Sequence, residues 1–539
     1  MPAASPPPKN SAWSVLNNRT FRALWIANVA SGIGSVMHDT AAVWTMATIT
    51  TSATLVTLMQ TISSLPLFLL ALPAGALADI VDRRKVIIAA QVAALVVTGM
   101  LVVGSWTGRL SPAVLLGATF LLGITVAFTT PTWQALLAEI VSKDELTGAL
   151  TLGSIGVNIS RAIGPIVAGA LLAASGPTAA FLLNGVSFLG IIIVLARWKR
   201  PPRMTGAHSE RMLGAIITSL RFTRYSPVIQ AVLVRNGLFA FFAIAPVALL
   251  PLIVRGKHLA AADFGMFMSA YGIGGILAAF CLLPRLRARC SADGILAGAT
   301  LLFAALAALL SFLDHRMGMA AVLFVAGAAW LVSMSTLAVA AQNAFPNWVR
   351  ARSSAIHLLV VQGALAVGAL AWGQITSHFD PNLALRVAAG GLLLTLVLAR
   401  GFAIQPAMQL DLMPSDHWAE HHLAFEPGDD DGPVVISLKY LVKEADIPAF
   451  TAATARLRTV RLRDGAFFWA LSQDLEEPAV FRETFHVGSW GEHLRQHDRA
   501  TAEDRATEEA VLAFHAGGDR PKASHRLMKN VRHLLPRGS

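Results

Sequence analysis

The chain has 539 residues, 55% of them hydrophobic and only 14% charged, with a mean hydropathy of +0.59. An ordinary soluble domain carries about 25% charged residues, so the composition excludes a chain that folds wholly in water. The net charge of +11 would suit nucleic acid, but the Lys and Arg sit in alternate loops between apolar runs, as they do where they orient membrane helices. A lipid bilayer is the expected partner and nucleic acid is not.

Residues 1–19 form an N-terminal tail whose stretch from Met1 to Ser11 is Pro-rich and polar, with no apolar core ahead of a small-residue cleavage site; the first span is expected to target the chain itself. A membrane helix needs about 20 mostly apolar residues. Twelve such runs follow, over 22–46, 54–78, 86–107, 113–138, 148–174, 178–197, 228–254, 263–284, 293–313, 317–341, 352–376 and 383–404. They divide into a six-helix bundle over 20–197, a central loop over 198–227 and a second six-helix bundle over 228–404. Arg83, Arg84, Lys85, Arg197, Lys199, Arg200, Arg203, Arg285, Arg287, Arg289, Arg350 and Arg352 fall in one set of loops, and the other set is poor in charge. Loops rich in Lys and Arg stay in the cytoplasm, so both termini and the central loop are expected there. Cys281 and Cys290 give no disulfide framework.

Span one contains His38 and Asp39, the latter the one acid well inside a span. A charge at the bilayer centre costs about 2.5–3.5 kcal/mol and is a functional hypothesis by default. Asp39 is the candidate proton carrier, with His38 in a relay and Arg161 of span five tuning it. Two plainer readings compete. Asp39 and Arg161 form a static pair, or Asp39 lies near the outer surface, since seventeen residues from Arg22 raise it about 25 Å. His38 has its own plain reading as a hydrogen-bonded packing residue.

The loop after span two reads Gly75-Ala-Leu-Ala-Asp79-Ile-Val-Asp82-Arg83-Arg84-Lys85. It resembles the signature loop of the major facilitator superfamily, Gly-x-Leu-Ala-Asp-Arg-x-Gly-Arg-Lys, with Ile80 and Asp82 replacing an Arg and a Gly. The resemblance implies a cytoplasmic latch built on Gly75, Asp79, Asp82, Arg83 and Arg84; topology anchoring is the plain alternative. Span five reads Ser160-Arg161-Ala-Ile-Gly164-Pro165-Ile-Val-Ala-Gly169. It resembles the Gly-x-x-x-Gly-Pro-x-x-Gly-Gly stretch of the superfamily's exporters and implies a bend at Gly164, Pro165 and Gly169 that seals the two halves. The segment from Phe128 to Leu136, Asn158 through Pro165, and Arg350-Ala-Arg352 followed by Gln362-Gly363 and Trp372-Gly373 resemble the enterobactin-exporter-like branch, the transmembrane secretion effectors. The branch implies a bacterial inner-membrane protein of two pseudo-symmetric halves. By the same resemblance spans one, four, seven and ten line a cavity, with Trp44, Thr129, Trp133, Gln134, Phe239, Phe242, Trp330 and Ser333 as candidates. Each aromatic alone is equally a packing or interface residue.

Past Arg400 the composition changes. Residues 405–432 form an acidic linker, and 433–530 form a soluble domain ahead of a tail over 531–539. Strands are expected over 434–442, 466–473, 482–489 and 525–528, and helices over 446–461, 492–499 and 502–514. The order βαββαβ predicts a ferredoxin-like unit, and the domain resembles the dimeric α+β barrels of antibiotic-biosynthesis monooxygenases. Trp469, His486, Trp490, His493 and His497 suggest an oxidation site, but their placement in strands and on one helix face favours packing. His493 and His497 have the spacing of a metal pair without a third ligand following at metal spacing. No catalytic residue, metal or cofactor is expected.

The expectation is an all-α polytopic membrane protein of twelve helices with a small α+β domain. It exports a small amphipathic molecule of the drug or siderophore class by proton antiport, and its tail regulates or self-associates. The other reading is a membrane-anchored sensor or enzyme whose tail carries the activity.

Overall fold

In a computed structural model, the described residues are 12–142, 144–198, 219–346, 348, 350–413, 415, 425, 427–521 and 523–528. Twelve long helices run where twelve apolar runs predict them. Span 1 is Arg19–Ile49, span 2 Ala53–Ile80, span 3 Arg83–Trp106, span 4 Pro112–Ile140, span 5 Leu146–Ser175 and span 6 Pro177–Arg197. Span 7 is two consecutive pieces, Pro227–Ala243 and Ala245–Gly256, the second carrying Pro246 and Pro251. Span 8 (Ala261–Leu277, continued to Arg289) is interrupted by a π turn over Ala278–Leu282. Span 9 is Ala292–Leu310, span 10 Arg316–Ala344, span 11 Arg350–His378 and span 12 Pro381–Leu398. Eleven of these are long and apolar enough to cross a membrane among the described residues. The exception is span 1, which has 31 residues but whose mean hydropathy is diluted by Asn28, Ser31, Ser35, His38 and Asp39.

Polar caps set several starts. Asn18 accepts from the Thr20 and Phe21 amides at 3.0 and 3.2 Å, Asp82 from the Arg84 amide at 3.0 Å and Ser291 from the Gly294 amide at 3.2 Å. Each satisfies a helix N–H that has no intrahelical partner. Indole groups inside the spans find carbonyls. Trp25 donates to Leu152 at 2.9 Å and Trp372 to Phe241, beside the break in span 7, at 2.8 Å. Such pairing is obligatory where no water can serve.

Two compact units divide the chain. The first holds residues 1–205, 234–337 and 358–401, and the second 206–233, 338–357 and 402–539. The second contains the tail domain, a four-stranded antiparallel sheet in the order β2-β3-β1-β4, with β1 Val434–Leu441, β2 Ala466–Gln473, β3 Val480–Val487 and β4 Ser524–Leu527. Helices Ile447–Asp464, Trp490–Arg499 and Ala502–Leu512 complete it, as a βαββαβ order requires. Its core gathers Val434, Ile436, Leu462, Phe485, Val487 and Trp490. The unit also takes in the end of the central loop and parts of the second bundle, 228–233 and 338–357. Tyr225 packs on that core, and Arg221 donates to Glu492 at 2.9 Å.

Candidate functional site

Where the two six-helix halves meet, their backbones touch. A side chain built at Gly265 of span 8 would stand 2.8 Å from the Gly169 Cα of span 5, and one at Gly272 would stand 2.8 Å from the Arg161 carbonyl oxygen. Small residues permit that approach between membrane helices. Trp44 of span 1 stacks on Phe264 of span 8, centroids 5.5 Å apart. The Thr61 hydroxyl of span 2 donates to the Ala366 carbonyl of span 11 at 2.7 Å. The Arg255 guanidinium of span 7 donates to the Thr50 carbonyl at 2.8 Å and to that of Ala47. All these contacts join the halves toward the end where spans 1, 5, 7 and 11 meet their loops near residues 50, 175, 256 and 378.

Span 5 is divided along its length. Ala149, Leu152, Gly156 and Ser160 are buried on one face, where Gly156 lies against Val29 and Ser160 against Gly32 of span 1. The face that includes Pro165 and Gly169 is closed on span 8. Its continuation toward residue 147 is open, with Thr147, Thr151, Ser154 and Arg161 exposed. Gly164 packs on Val36 and Met37 of span 1, so the Gly-Pro segment touches both its own half and the other.

His38 is 2% exposed, and its ring lies 4.9 Å from that of Phe181 in span 6. Neither ring nitrogen has a hydrogen-bond partner among the described residues. Asp39 is exposed and, at 100° per residue, lies on the face of span 1 between its contacts with spans 5 and 6. It forms no ion pair with Arg161 among the described residues, so the static pair is not formed.

The cavity candidates separate. Gln134 is exposed, and Thr129, Trp133 and Trp330 are half-buried. Phe239, 2% exposed, packs beneath Trp330 with centroids 5.8 Å apart, and Ser333 is wholly buried, so neither lines a surface here. Phe242 sits edge-on to Phe241 at 5.0 Å, in the apolar cluster around Trp372. Arg235 pairs with Asp293 at the start of span 9.

The side chains of Gly75 and Asp79 lie outside the described residues. Arg83 donates to Glu139 Oε1 at 2.6 Å and to the Ala135 carbonyl at 3.0 Å, both at the end of span 4. Arg84 reaches the Ala196 carbonyl at the end of span 6 at 2.7 Å. The basic loop thus ties together three helix ends of the first half. Glu139 was missed in the sequence, because 56 residues separate it from Arg83 and no local pattern links them.

In the tail, Trp469 donates to Glu483 at 3.0 Å and Trp490 is buried in the core, so both serve packing. The His493 and His497 rings are joined by His525 of β4, whose centroid lies 4.9 Å from His493. No group of three or more His, Cys, Asp or Glu among the described residues is arranged to hold a metal. Glu492 is gripped by Arg221 and Arg499, each at 2.9 Å. Burial pushes its carboxyl up, but the Arg499 and Arg221 guanidiniums outweigh burial and hold it below the usual glutamate value.

A match to the transmembrane secretion effector family runs over residues 10–533 and so includes the tail. Among curated relatives, the staphyloferrin A transporter of Staphylococcus aureus is 28% identical over 40% of this chain and 55% of its own length. The enterobactin exporter of Citrobacter koseri is 27% identical over 48% of this chain and 62% of its own. The aligned region therefore spans between half and two thirds of these relatives. Among solved structures, a bacterial homologue of the human lysosomal transporter Spinster, in an inward-facing and unoccupied conformation, aligns with TM-score 0.57 at 16% identity over 75% of this chain and 98% of its own. A bacterial homologue of the iron transporter ferroportin, in an inward-facing state, gives 0.55 at 17% identity over 71% and 98%. Both likenesses concern the fold.

Proposed function

The chain belongs to the transmembrane secretion effector family of the major facilitator superfamily, and from that premise we propose that it is a secondary transporter that exports a small amphipathic molecule of the siderophore class by proton antiport. The observation that carries the reading is the seam between the halves, closed by backbone contact at Gly169 and Gly265 and giving way below Arg161 to a polar, exposed wall. Such a geometry supports alternating access, in which the two halves rock around a site near the midplane. With the basic loops in the cytoplasm, the closed end faces outward and the open wall faces inward, ready to load cargo for export.

Curated relatives named for enterobactin and staphyloferrin A support a siderophore over a drug. The proton leg is assigned to Asp39, and a membrane potential supplies about 2.3 kcal/mol per charge per 100 mV. The bacterial inner membrane is the proposed location, with both termini cytoplasmic. The test is exchange in proteoliposomes under an imposed pH gradient, with catecholate and carboxylate siderophores and cationic dyes offered in turn. A siderophore that collapses the gradient only when protein is present supports the proposal. Collapse by dyes alone moves the cargo class to drugs, and no exchange by folded protein sinks antiport.

A further inference from the structure

Span 5 carries a polar stripe, Thr147, Thr151, Ser154, Asn158 and Arg161, spaced three or four residues apart and therefore on one helical face. Four of the five are exposed and Asn158 is half-buried. Five polar groups turned to hydrocarbon on one helix would be costly, and polar residues inside a membrane protein face its interior or a water-filled cavity. The geometry agrees. The same face, continued past Pro165, is the one closed on span 8, while the opposite face is spent on span 1.

Arg161 stands where seam and wall meet. Its carbonyl lies against Gly272 of span 8, while its side chain is exposed below the contact. The guanidinium makes no hydrogen bond or ion pair among the described residues. Next to Gly272 is Tyr271. Its hydroxyl is buried with no hydrogen-bond partner among the described residues, and its ring centroid lies 6.5 Å from that of Trp330. An always-charged five-donor fork and an unused hydroxyl thus stand one in each half, beside the contact between the Arg161 carbonyl and Gly272.

We propose that Arg161 and Tyr271 form the binding point for an oxyanion of the cargo, a carboxylate or a catecholate oxygen, held between span 5 and span 8. The cargo is thus an organic acid, led up the Thr147–Asn158 stripe, and it bridges the two halves at the place where they part. Guanidinium forks bind such groups bidentately, and Trp330 supplies an aromatic wall beside the phenol. This inference rests on the transporter reading for the word cargo and on local geometry for the site.

The test uses the purified full chain in detergent, with citrate, 2,3-dihydroxybenzoate and tetraphenylphosphonium as probes and the shift in Tm as readout. At least one acid raises the wild-type Tm, and its apparent affinity falls about tenfold or more, some 1.4 kcal/mol, in Arg161→Gln. The affinity falls less in Arg161→Lys and in Tyr271→Phe. Unliganded Tm and size-exclusion profiles report folding; should Arg161→Gln misfold, Tyr271→Phe and Asn158→Ala carry the comparison. Undiminished acid binding in the folded variants, or stabilisation of the wild type by the cation alone, overturns the site. If the wild type then still moves the cation across proteoliposomes, the transporter reading survives without the acid site. Acid binding that is lost in Arg161→Gln while nothing crosses the bilayer keeps the site and sinks the transporter reading.

Discussion

At the scale of single residues, ionisable groups among apolar helices separate into paired and unpaired. Arg235 has Asp293, and Arg83 has Glu139, so both act as struts. Asp39 and Arg161 have no such partner among the described residues, and a charge kept in a membrane without one is a functional candidate by default. Asp39→Asn is expected to abolish proton-coupled uptake into everted vesicles while expression and Tm hold; full coupling in the variant would remove Asp39 from the mechanism. Sequence alone made Asp39 and Arg161 conspicuous, because acids and bases are rare inside spans. It could not tell that they stand apart, since a contact between two helices depends on rotation about each axis and no local pattern encodes that. The same blindness hid Tyr271, an ordinary residue in an apolar run until Gly272 brings span 5 against it.

At the scale of elements, the seam depends on absent side chains. Gly265→Val would push a branched side chain into the Gly169 backbone, and overpacking of this kind costs about 1–3 kcal/mol. The expected outcome is a folded protein whose seam closes poorly, read as increased thiol labelling of a cysteine placed at Ala162, beside Gly272, with Cys281 and Cys290 changed to Ser; unchanged labelling contradicts it. The tail domain shows the opposite case, legible almost to the residue. The alternation over Val434–Leu441 and the periodic Ile447–Asp464 are local signals, and they place a strand and a helix without tertiary knowledge. What lay beyond reach was its attachment. Arg221 pairs with Glu492, Phe222 lies 5.1 Å beneath the Arg463 guanidinium, and Trp348 lies 4.7 Å from that of Arg499, across 151 to 271 residues of chain that no window spans. Because the folded Glu492 carboxyl titrates below its ordinary 4.5, its contribution is fully present above that value and is lost as pH falls through the depressed one. Hydrogen exchange over 219–225 in the full chain should therefore stay flat from neutral pH down to about 5 once the intrinsic pH dependence is removed, and rise in more acid solution. Glu492→Gln should show the raised exchange already at neutral pH. Inside the domain, Glu483 is fully buried and bonded by Tyr440, Arg461 and Trp469. Glu483→Ala would leave Arg461 with Glu508 as its remaining carboxylate partner and the buried Tyr440 and Trp469 donors without theirs, and should destabilise the sheet by about 1–3 kcal/mol, visible as faster exchange in β1 and β3.

At the scale of the whole molecule, the membrane fold was the most legible feature, since twelve apolar runs of span length admit few alternatives. Span 1 is the least obvious by hydropathy and yet, at 31 residues, is among the longest helices. The tail lies inside the family match. Phe467 and Phe468 are 60% and 45% exposed on its sheet, both rings beside His486; if the tail joins two copies, Phe467→Ser with Phe468→Ser should halve the mass measured by light scattering in detergent, and an unchanged mass removes that face from the interface. The central claim is that the seam must open and close for cargo to cross. Thr57 of span 2 lies where a side chain on Gly373 of span 11 would begin, so cysteines at both positions, with Cys281 and Cys290 changed to Ser, can lock the halves together. Transport measured in proteoliposomes with the disulfide formed, then after reduction, is the decisive comparison. The account predicts that exchange stops when the bond forms and returns when it is reduced. Exchange that continues at full rate through a completely cross-linked seam would contradict it.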